Sequence, residues 1–200
     1  SFFDILYCKA LSACKIELDL EKKPMKTLAV LFGGQSTEHE ISDLSACFVA
    51  ENLDETKYEL MMIGITKDGR WFWYTGPVDA IRCHTWQDDA ENLVPCVVSP
   101  CSAHHGLLLL DKAAGTFAVR RVDVVFPVLH GKNGEDGTVQ GLLTLAGIPY
   151  VGCDTYASAV CMNKIATKRL CAGLGISMAA SVELTAGPDF DMNAAVCAAE

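Results

Sequence analysis

Glu38 and His130 are the two side chains whose type and placement could support chemistry in this sequence. Each follows a short apolar run that predicts a buried parallel strand, TLAVLFGG (27–34) and VDVVFPVL (122–129). Open α/β sheets bind ligands at the carboxyl ends of such strands, so we expect both side chains at that edge. A carboxylate there could bind the ammonium group of a small substrate, and an imidazole at the same edge could take part in the chemistry.

A glycine-rich loop, HGKNGEDG, begins at His130. Its glycines, Gly131, Gly134 and Gly137, predict positive-φ turns or a close approach of the backbone to a ligand, and Gly131 is a candidate substrate-binding residue. The sequence contains neither G-x-G-x-x-G nor G-x-x-x-x-G-K-[ST]. A dinucleotide-binding dehydrogenase domain and a P-loop are therefore disfavoured, and ATP, if it is used, must be bound by another device.

Nearby polar residues are expected to support these two side chains. Glu135 and Asp136 follow His130 closely enough to orient its imidazole, and Ser36 belongs to the loop that carries Glu38. Both principal residues also have an ordinary structural interpretation. An acid in the first turn of a helix complements the helix dipole, and a histidine at a strand end can be a hydrogen-bonded core residue. Spacing alone leaves these interpretations open.

A helix is predicted directly after the first strand. Thr37 and Glu40 have the T-x-x-E spacing of a capping box, in which each side chain bonds a backbone amide of the first turn. Ile41, Leu44 and Phe48 then recur at spacings of three and four. This stripe is typical of a helix face that packs on a core.

The remaining elements predict an α/β domain followed by part of another. YELMMIGI (58–65) is a second strand that leads into a hairpin, and residues 76–118 are an insertion with weak β character. We assign residues 25–160 to the first domain and residues 161–200 to the start of the next. Residues 1–24 are an extension that we expect to lie outside the core, because Met25 is a plausible natural start.

Lys164 stands at the opening of a helix beyond the first domain. Asp154 and Asn163 predict the caps of two short helices, the second running from Lys164 to about Leu174. SMAASVEL (177–184) predicts the first strand of the following domain, and a further helix follows it. Taken alone, Lys164 is interpreted as a solvated lysine.

Composition excludes several classes of protein. The net charge of -9 provides no basic surface for a phosphate backbone, so nucleic acid is not an expected partner. No apolar run reaches the roughly 18 residues that span a bilayer. The segment LSAC (11–14) is similar to a lipoprotein cleavage box, but Asp4 and Lys9 interrupt the apolar stretch before it. A cytoplasmic enzyme that acts on small molecules is the better interpretation.

The ten cysteines contain no CxxC pair and are interpreted as reduced thiols. A zinc site is the alternative, because metal-capable side chains occur together in one stretch. They are Cys83, His84, Cys101, His104 and His105. Their spacing is not that of paired zinc ligands, so no metal site is predicted in this chain.

Four blocks together resemble the D-alanine:D-alanine ligase family. They are FGGQSTEHEIS (32–42), FPVLHGKNGEDGTVQGLL (126–143), AGIPYVGCDTYASAVCMNK (146–164) and TKRL (167–170). Their order and separation also match, and the resemblance covers about Met25 to Val182. Several ordered motifs in one chain are more specific than any one of them.

The resemblance implies a Rossmann-like preATP-grasp domain followed by the beginning of an ATP-grasp domain. In this family ATP phosphorylates the carboxylate of one D-alanine, and the amine of a second then attacks the acyl phosphate. Glu38 matches the carboxylate that holds the ammonium of the first D-alanine, and His130 matches a histidine near that substrate. Lys164 matches a lysine that contacts the ATP phosphates, where its charge offsets charge that develops during phosphoryl transfer.

Two features limit what the resemblance implies. Asn163 stands where the family usually has Asp before the lysine, although either residue can cap a helix. The magnesium ligands and the adenine-binding segment belong downstream of Glu200, so the cofactors ATP and Mg²⁺ are expected without metal ligands in this chain. The resemblance also implies a homodimer. It extends to vancomycin-resistance ligases that join D-alanine to D-serine or D-lactate, and a non-catalytic substrate-binding domain is a further alternative.

Overall fold

A mixed β-sheet with helices on both faces forms the first part of the chain, which the computed structural model describes for residues 25–184, 187 and 191–199. The predicted extension, residues 1–24, lies outside the described residues. The strands are β1 (Lys26–Gly33), β2 (Tyr58–Ile65), β3 (Trp71–Tyr74), β4 (Leu93–Val98), β5 (Gly106–Asp111), β6 (Thr116–Arg121) and β7 (Val124–Pro127). The helices are α1 (His39–Asn52), α2 (Val78–Arg82), α3 (Thr138–Ala146), α4 (Thr155–Met162), α5 (Lys164–Gly173) and α6 (Met192–Ala199).

The strand order is β6-β5-β4-β3-β2-β1-β7. Strands β7, β1 and β2 are parallel, whereas β3 to β6 continue the sheet in antiparallel pairs. The predicted α/β class is confirmed, but the sheet is only partly parallel. The predicted insertion, residues 76–118, contains β4, β5 and the start of β6. Short connections are sufficient between these strands because they pair antiparallel.

The central strands are buried on both faces. Leu31 on β1 faces a cluster that includes Leu143 of α3, and Phe32 faces a second cluster on the side of α1. In that second cluster, Trp86 from a short 3₁₀ turn (Trp86–Asp88) is completely buried. Because β1 and β7 are parallel neighbours, their carboxyl ends lie at the same edge of the sheet, between α1 and α3.

Helix α1 packs on the sheet through small and polar residues. Its buried positions are His39, Ser42, Asp43, Ala46, Cys47 and Ala50. The large apolar residues Ile41, Leu44 and Phe48 are instead 53%, 43% and 69% exposed. The prediction that this stripe packs on the core is wrong, because Trp86 and Phe32 already fill the space beneath the helix and only small side chains fit above them.

The predicted capping box at Thr37 and Glu40 does not form. The helix begins at His39, and Glu38 occupies the N-cap position without a side-chain cap. Glu40 instead forms an ion pair with Lys67 of the β2–β3 hairpin. The late start of the helix leaves the Glu38 side chain free of any capping bond.

Capping at the two later helices agrees with the sequence. The carboxylate of Asp154 accepts a hydrogen bond from the Ala157 amide at 2.7 Å, and Asn163 caps α5 at its Ile165 and Ala166 amides.

The predicted strand at 177–184 is wrong, since these residues form no strand. A strand needs a pairing partner, and none is present among the described residues.

Candidate active site

Glu38 and Gly131 meet where the loops after β1 and β7 come together. A β-carbon built on Gly131 would lie 2.8 Å from Oε2 of Glu38 and 2.9 Å from Oγ of Ser36. Gly131 has φ +69°, a conformation that glycine adopts without strain. The Ser36 hydroxyl also accepts a hydrogen bond from the Glu38 amide at 3.1 Å. The structure therefore brings together three of the predicted site residues, with the Glu38 side chain exposed.

His130 is half-buried beside α1. Its Nε2 lies 3.1 Å from Oγ of Ser45, whose hydroxyl also donates to the Ile41 carbonyl at 2.9 Å. A hydroxyl has one hydrogen, so with that hydrogen on Ile41 the oxygen accepts from Nε2 of His130. Nδ1 of the imidazole then remains available to a ligand. The sequence did not predict that Ser45 bonds His130. Ser45 lies one helical turn after Ile41, on the same side of α1 as that residue.

Glu135 and Asp136 organise the loop backbone, and the expectation that they orient the imidazole is wrong. Glu135 accepts from the Gly131 amide at 2.7 Å, and Asp136 accepts from the amides of Asn133 and Thr138 at 2.9 and 3.0 Å. In these tight turns no backbone carbonyl of the described residues bonds these three amides, and the neighbouring carboxylates accept their hydrogen bonds instead. Burial alone would raise the pKa of Asp136, but these hydrogen bonds lower it overall.

The predicted positive-φ turns are confirmed at Gly131 and Gly137, whereas Gly134 has another role. Gly137 has φ +91° at the N-cap of α3. Gly134 allows close approach instead, since a β-carbon there would lie 2.5 Å from that of Leu129. The loop is thus folded tightly against the end of β7, which places Gly131 beside the Glu38 loop.

Ser42 links the ends of the two strands that carry the site. Its buried hydroxyl accepts from the Gly33 amide at 2.9 Å and donates to the Val128 carbonyl at 2.6 Å. Gly33 ends β1, and Val128 lies two residues before His130. This residue was also missed, because a serine within a helix gives no sequence signal for such a bridge.

Two concave surfaces share Leu129 and His130. The smaller, of about 240 Å³, lies towards Trp71 and Lys132, and the larger, of about 530 Å³, lies towards α4. Glu38 lines neither. Its exposed carboxylate lies outside the lining of both concave surfaces.

Lys164 lies apart from this cluster at the start of α5. Its side chain is exposed and forms no ion pair within the described part of the chain. The side chain of Asn163 already occupies two amides of the first turn. The exposed ammonium group of Lys164 is available to bind an anion such as a phosphate.

Clusters of metal-binding side chains and membrane-spanning helices are both absent from the described residues. These residues contain no group of three His, Cys, Asp or Glu side chains arranged to hold a metal ion. His84 bonds Asp43 and His104 bonds Ser99, so these histidines have other partners. Within the same residues, no helix combines the length and apolar character needed to span a bilayer.

The part of the chain that contains Glu38 and His130 is similar to known proteins. Residues 27–153 match the family model for the D-ala D-ala ligase N-terminus. A D-alanine--D-alanine ligase of Caldicellulosiruptor bescii is 52% identical over 143 residues, which are 72% of this chain and 38% of that protein. The vancomycin C-type resistance protein VanC1 of Enterococcus gallinarum is 44% identical over 161 residues, 80% of this chain and 44% of that protein.

Solved structures agree with the sequence matches. The VanG D-Ala:D-Ser ligase of Enterococcus faecalis superposes with a TM-score of 0.72 at 49% identity, covering 76% of this chain and 43% of that one. The chain spans about two fifths of the length of the relatives it matches. The predicted resemblance is confirmed, and this chain belongs to the D-alanine:D-alanine ligase family, whose N-terminal domain it contains.

Proposed function

We propose that this chain is the N-terminal part of an ATP-dependent ligase that forms D-alanyl-D-alanine for peptidoglycan. The observation that carries the proposal is the exposed carboxylate of Glu38, which lies against Gly131 at the carboxyl edge of the parallel strands. Open α/β sheets bind ligands at this edge. Formation of the dipeptide by the complete protein is its direct test.

Each site residue has a role in this proposal. Glu38 binds the ammonium group of the first D-alanine, and His130 contacts the same substrate from the facing loop. Ser36 and Gly131 shape the space beside the carboxylate. Glu135, Asp136 and Gly137 fix the loop that carries His130 and Gly131.

ATP and magnesium, when bound, supply the phosphoryl group and neutralise its charge during transfer to the D-alanine carboxylate. In this chain the exposed ammonium of Lys164 would hold phosphate oxygens. We assign residues 25–160 to the substrate-binding domain and 161–200 to the start of the ATP-grasp domain, with the magnesium ligands beyond residue 200. A cytoplasmic location belongs to the same proposal, because D-alanine and ATP would both be drawn from the cytoplasm.

Replacing Lys164 with alanine is expected to lower kcat/KM for ATP by about 100-fold, the typical loss for one preorganised group that stabilises transition-state charge. The KM for D-alanine should change less than threefold, because Lys164 has no contact with Glu38 or His130 in the described residues. Steady-state kinetics of the complete enzyme measure both constants. Lys168 on the same helix bonds the Ala179 carbonyl, so Lys168→Ala is the matched control. If kcat/KM for ATP were unchanged in Lys164→Ala, Lys164 would be an ordinary solvated lysine without a role in ATP binding.

The complete protein is further proposed to be a homodimer. The exposed stripe of Ile41, Leu44 and Phe48 on α1 is an apolar surface of the kind that protein contacts cover. Phe48→Ser is expected to convert the dimer to a monomer in sedimentation equilibrium. A dimer that persists unchanged would place the contact elsewhere.

D-alanine:D-serine ligation is the second candidate activity. It rests on the likeness to the VanG D-Ala:D-Ser ligase, which is nearly as strong as the identity to the D-alanine--D-alanine ligase of C. bescii. Both activities use D-alanine as the first substrate, so the assignment of Glu38 is the same for either.

A further inference from the structure

His39 is buried directly behind the loop that presents Glu38. The side chain is 1% exposed, and its ring stacks on Trp86 at an interplanar angle of 11°. Each ring nitrogen has a polar neighbour, since Nδ1 lies 2.8 Å from the Gly34 carbonyl and Nε2 lies 3.2 Å from the side-chain nitrogen of Gln87. The imidazole is therefore held in one orientation.

The contact with Gly34 indicates which ring nitrogen carries a hydrogen. A carbonyl oxygen can only accept, so Nδ1 of His39 carries the hydrogen that bonds Gly34. In the neutral ring Nε2 is then an acceptor, which matches the amide nitrogen of Gln87. The other titratable groups on this side are Asp43, whose carboxylate is 3.8 Å from Nε2, and His84, which bonds Asp43.

The bond from Nδ1 closes a short loop. His39 follows Glu38 directly, and its ring returns to Gly34 at the other end of the same five-residue segment. The Gly34 amide is in turn fixed to the Ile65 carbonyl at 2.7 Å. The Gly34 amide thus anchors one end of the segment to the sheet, the Ser42 amide bonds the Glu38 carbonyl at the other end, and the His39 side chain joins the two ends.

The Glu38 side chain has no such restraint of its own. It makes no capping bond, and its amide contact to Ser36 lies within the same segment. Backbone order in residues 34–38 therefore decides where the carboxylate stands relative to Gly131. An unrestrained loop would lose conformational entropy each time a substrate was bound.

We propose that His39 is a positioning residue for the first D-alanine site, in which its Nδ1 hydrogen holds the Gly34 carbonyl and so fixes the Glu38 carboxylate against the His130 loop. This inference rests on the proposed function, because it assigns the ammonium-binding role to Glu38. His39 itself touches no substrate. Its effect is on the affinity for D-alanine rather than on the use of ATP.

Two substitutions of the same residue separate the positioning role from simple filling of space. In His39→Asn the side-chain amide can donate from near the position of Nδ1, whereas in His39→Gln it reaches towards the position of Nε2 and Gln87. Both variants remove the ring from Trp86, so their losses of thermal stability should be similar. Only His39→Gln loses the bond to Gly34.

In the complete enzyme, His39→Gln is expected to raise the KM for the first D-alanine by about tenfold, the effect of one lost buried hydrogen bond. His39→Asn should stay within about threefold of the wild type, and the KM for ATP should be unchanged in both. Equal D-alanine constants for the two variants, or equal changes in the ATP constant, would overturn the proposal. A wild-type enzyme that does not use D-alanine would instead contradict the proposed function.

A second measurement needs no variant and no activity. Nitrogen-15 NMR of the wild-type 200-residue chain reports which imidazole nitrogen of His39 carries the hydrogen. The proposal requires a hydrogen on Nδ1. A ring protonated on Nε2 alone could not bond the Gly34 carbonyl and would overturn the positioning role, whether or not the substituted proteins fold.

Discussion

Replacing Glu38 with glutamine in the complete enzyme is expected to raise the KM for the first D-alanine by about 10- to 100-fold, the range for removing the charge from a charge-assisted hydrogen bond. Glutamine keeps the size of the side chain and its place beside Gly131. The loss therefore reports the attraction between a carboxylate and an ammonium group. The KM for ATP should not move.

Glu40 provides the matched control for this substitution. It lies two residues further along α1, is also an acid, and pairs with Lys67 rather than facing Gly131. Glu40→Gln should leave the kinetics of both D-alanine sites within twofold of the wild type. Unchanged constants for Glu38→Gln, or equal effects of the two substitutions, would remove Glu38 from the substrate site.

Gly64→Ala is expected to reduce the free energy of unfolding by about 3 kcal/mol, at the upper end of the range for an overpacked core. A β-carbon on Gly64 would lie 2.5 Å from Cζ3 of Trp86 and 2.9 Å from Cζ of Phe32. Both rings are completely buried, so neither can move into solvent. Denaturant unfolding of the 200-residue chain measures the difference.

Gly141 is the control for a glycine with space around it. It lies within α3, and the nearest atom to a built β-carbon is Cγ2 of Thr155 at 3.9 Å. Gly141→Ala should increase the free energy of unfolding by about 0.5–1 kcal/mol, because alanine loses less backbone entropy in a helix. If both substitutions had the same effect, the packing of Trp86 over Gly64 would be wrong.

Much of the fold around the site could be predicted from local patterns. The apolar runs of β1 and β7 fixed the edge at which Glu38 and His130 lie, because buried parallel strands require continuous apolar sequence. Asp154 and Asn163 were recognisable as caps because a cap acts on amides two or three residues away. These signals are local, and so the sequence contains them completely.

The errors came from contacts between distant parts of the chain. Ile41, Leu44 and Phe48 have helical spacing, but Trp86 takes the space beneath α1, and nothing near residue 41 indicates this. Here the buried face is marked instead by small and polar residues at the same period. A helix can pack by close approach of its backbone, which an apolar pattern does not reveal.

The hydrogen-bonding partners of the site residues could not be predicted from the sequence either. The bonds of Ser45 to His130 and of Ser42 to Val128 join residues more than 80 positions apart. The acids next to His130 were the nearest candidates in sequence, yet the loop turns their carboxylates onto its own amides. Proximity in sequence shows that these carboxylates are near His130. It does not show that backbone amides of the same loop will bond them instead.

Product analysis of the complete protein beside the 200-residue chain decides whether this domain serves a D-alanine ligase. With ATP, magnesium and D-alanine, the complete protein should yield D-alanyl-D-alanine, ADP and phosphate, and D-serine added in competition should not displace the second D-alanine. The 200-residue chain should release no phosphate above its Lys164→Ala variant, since positioning and charge neutralisation require further groups. A complete protein that forms no D-alanyl product, or a 200-residue chain that turns over ATP by itself, would contradict the assignment.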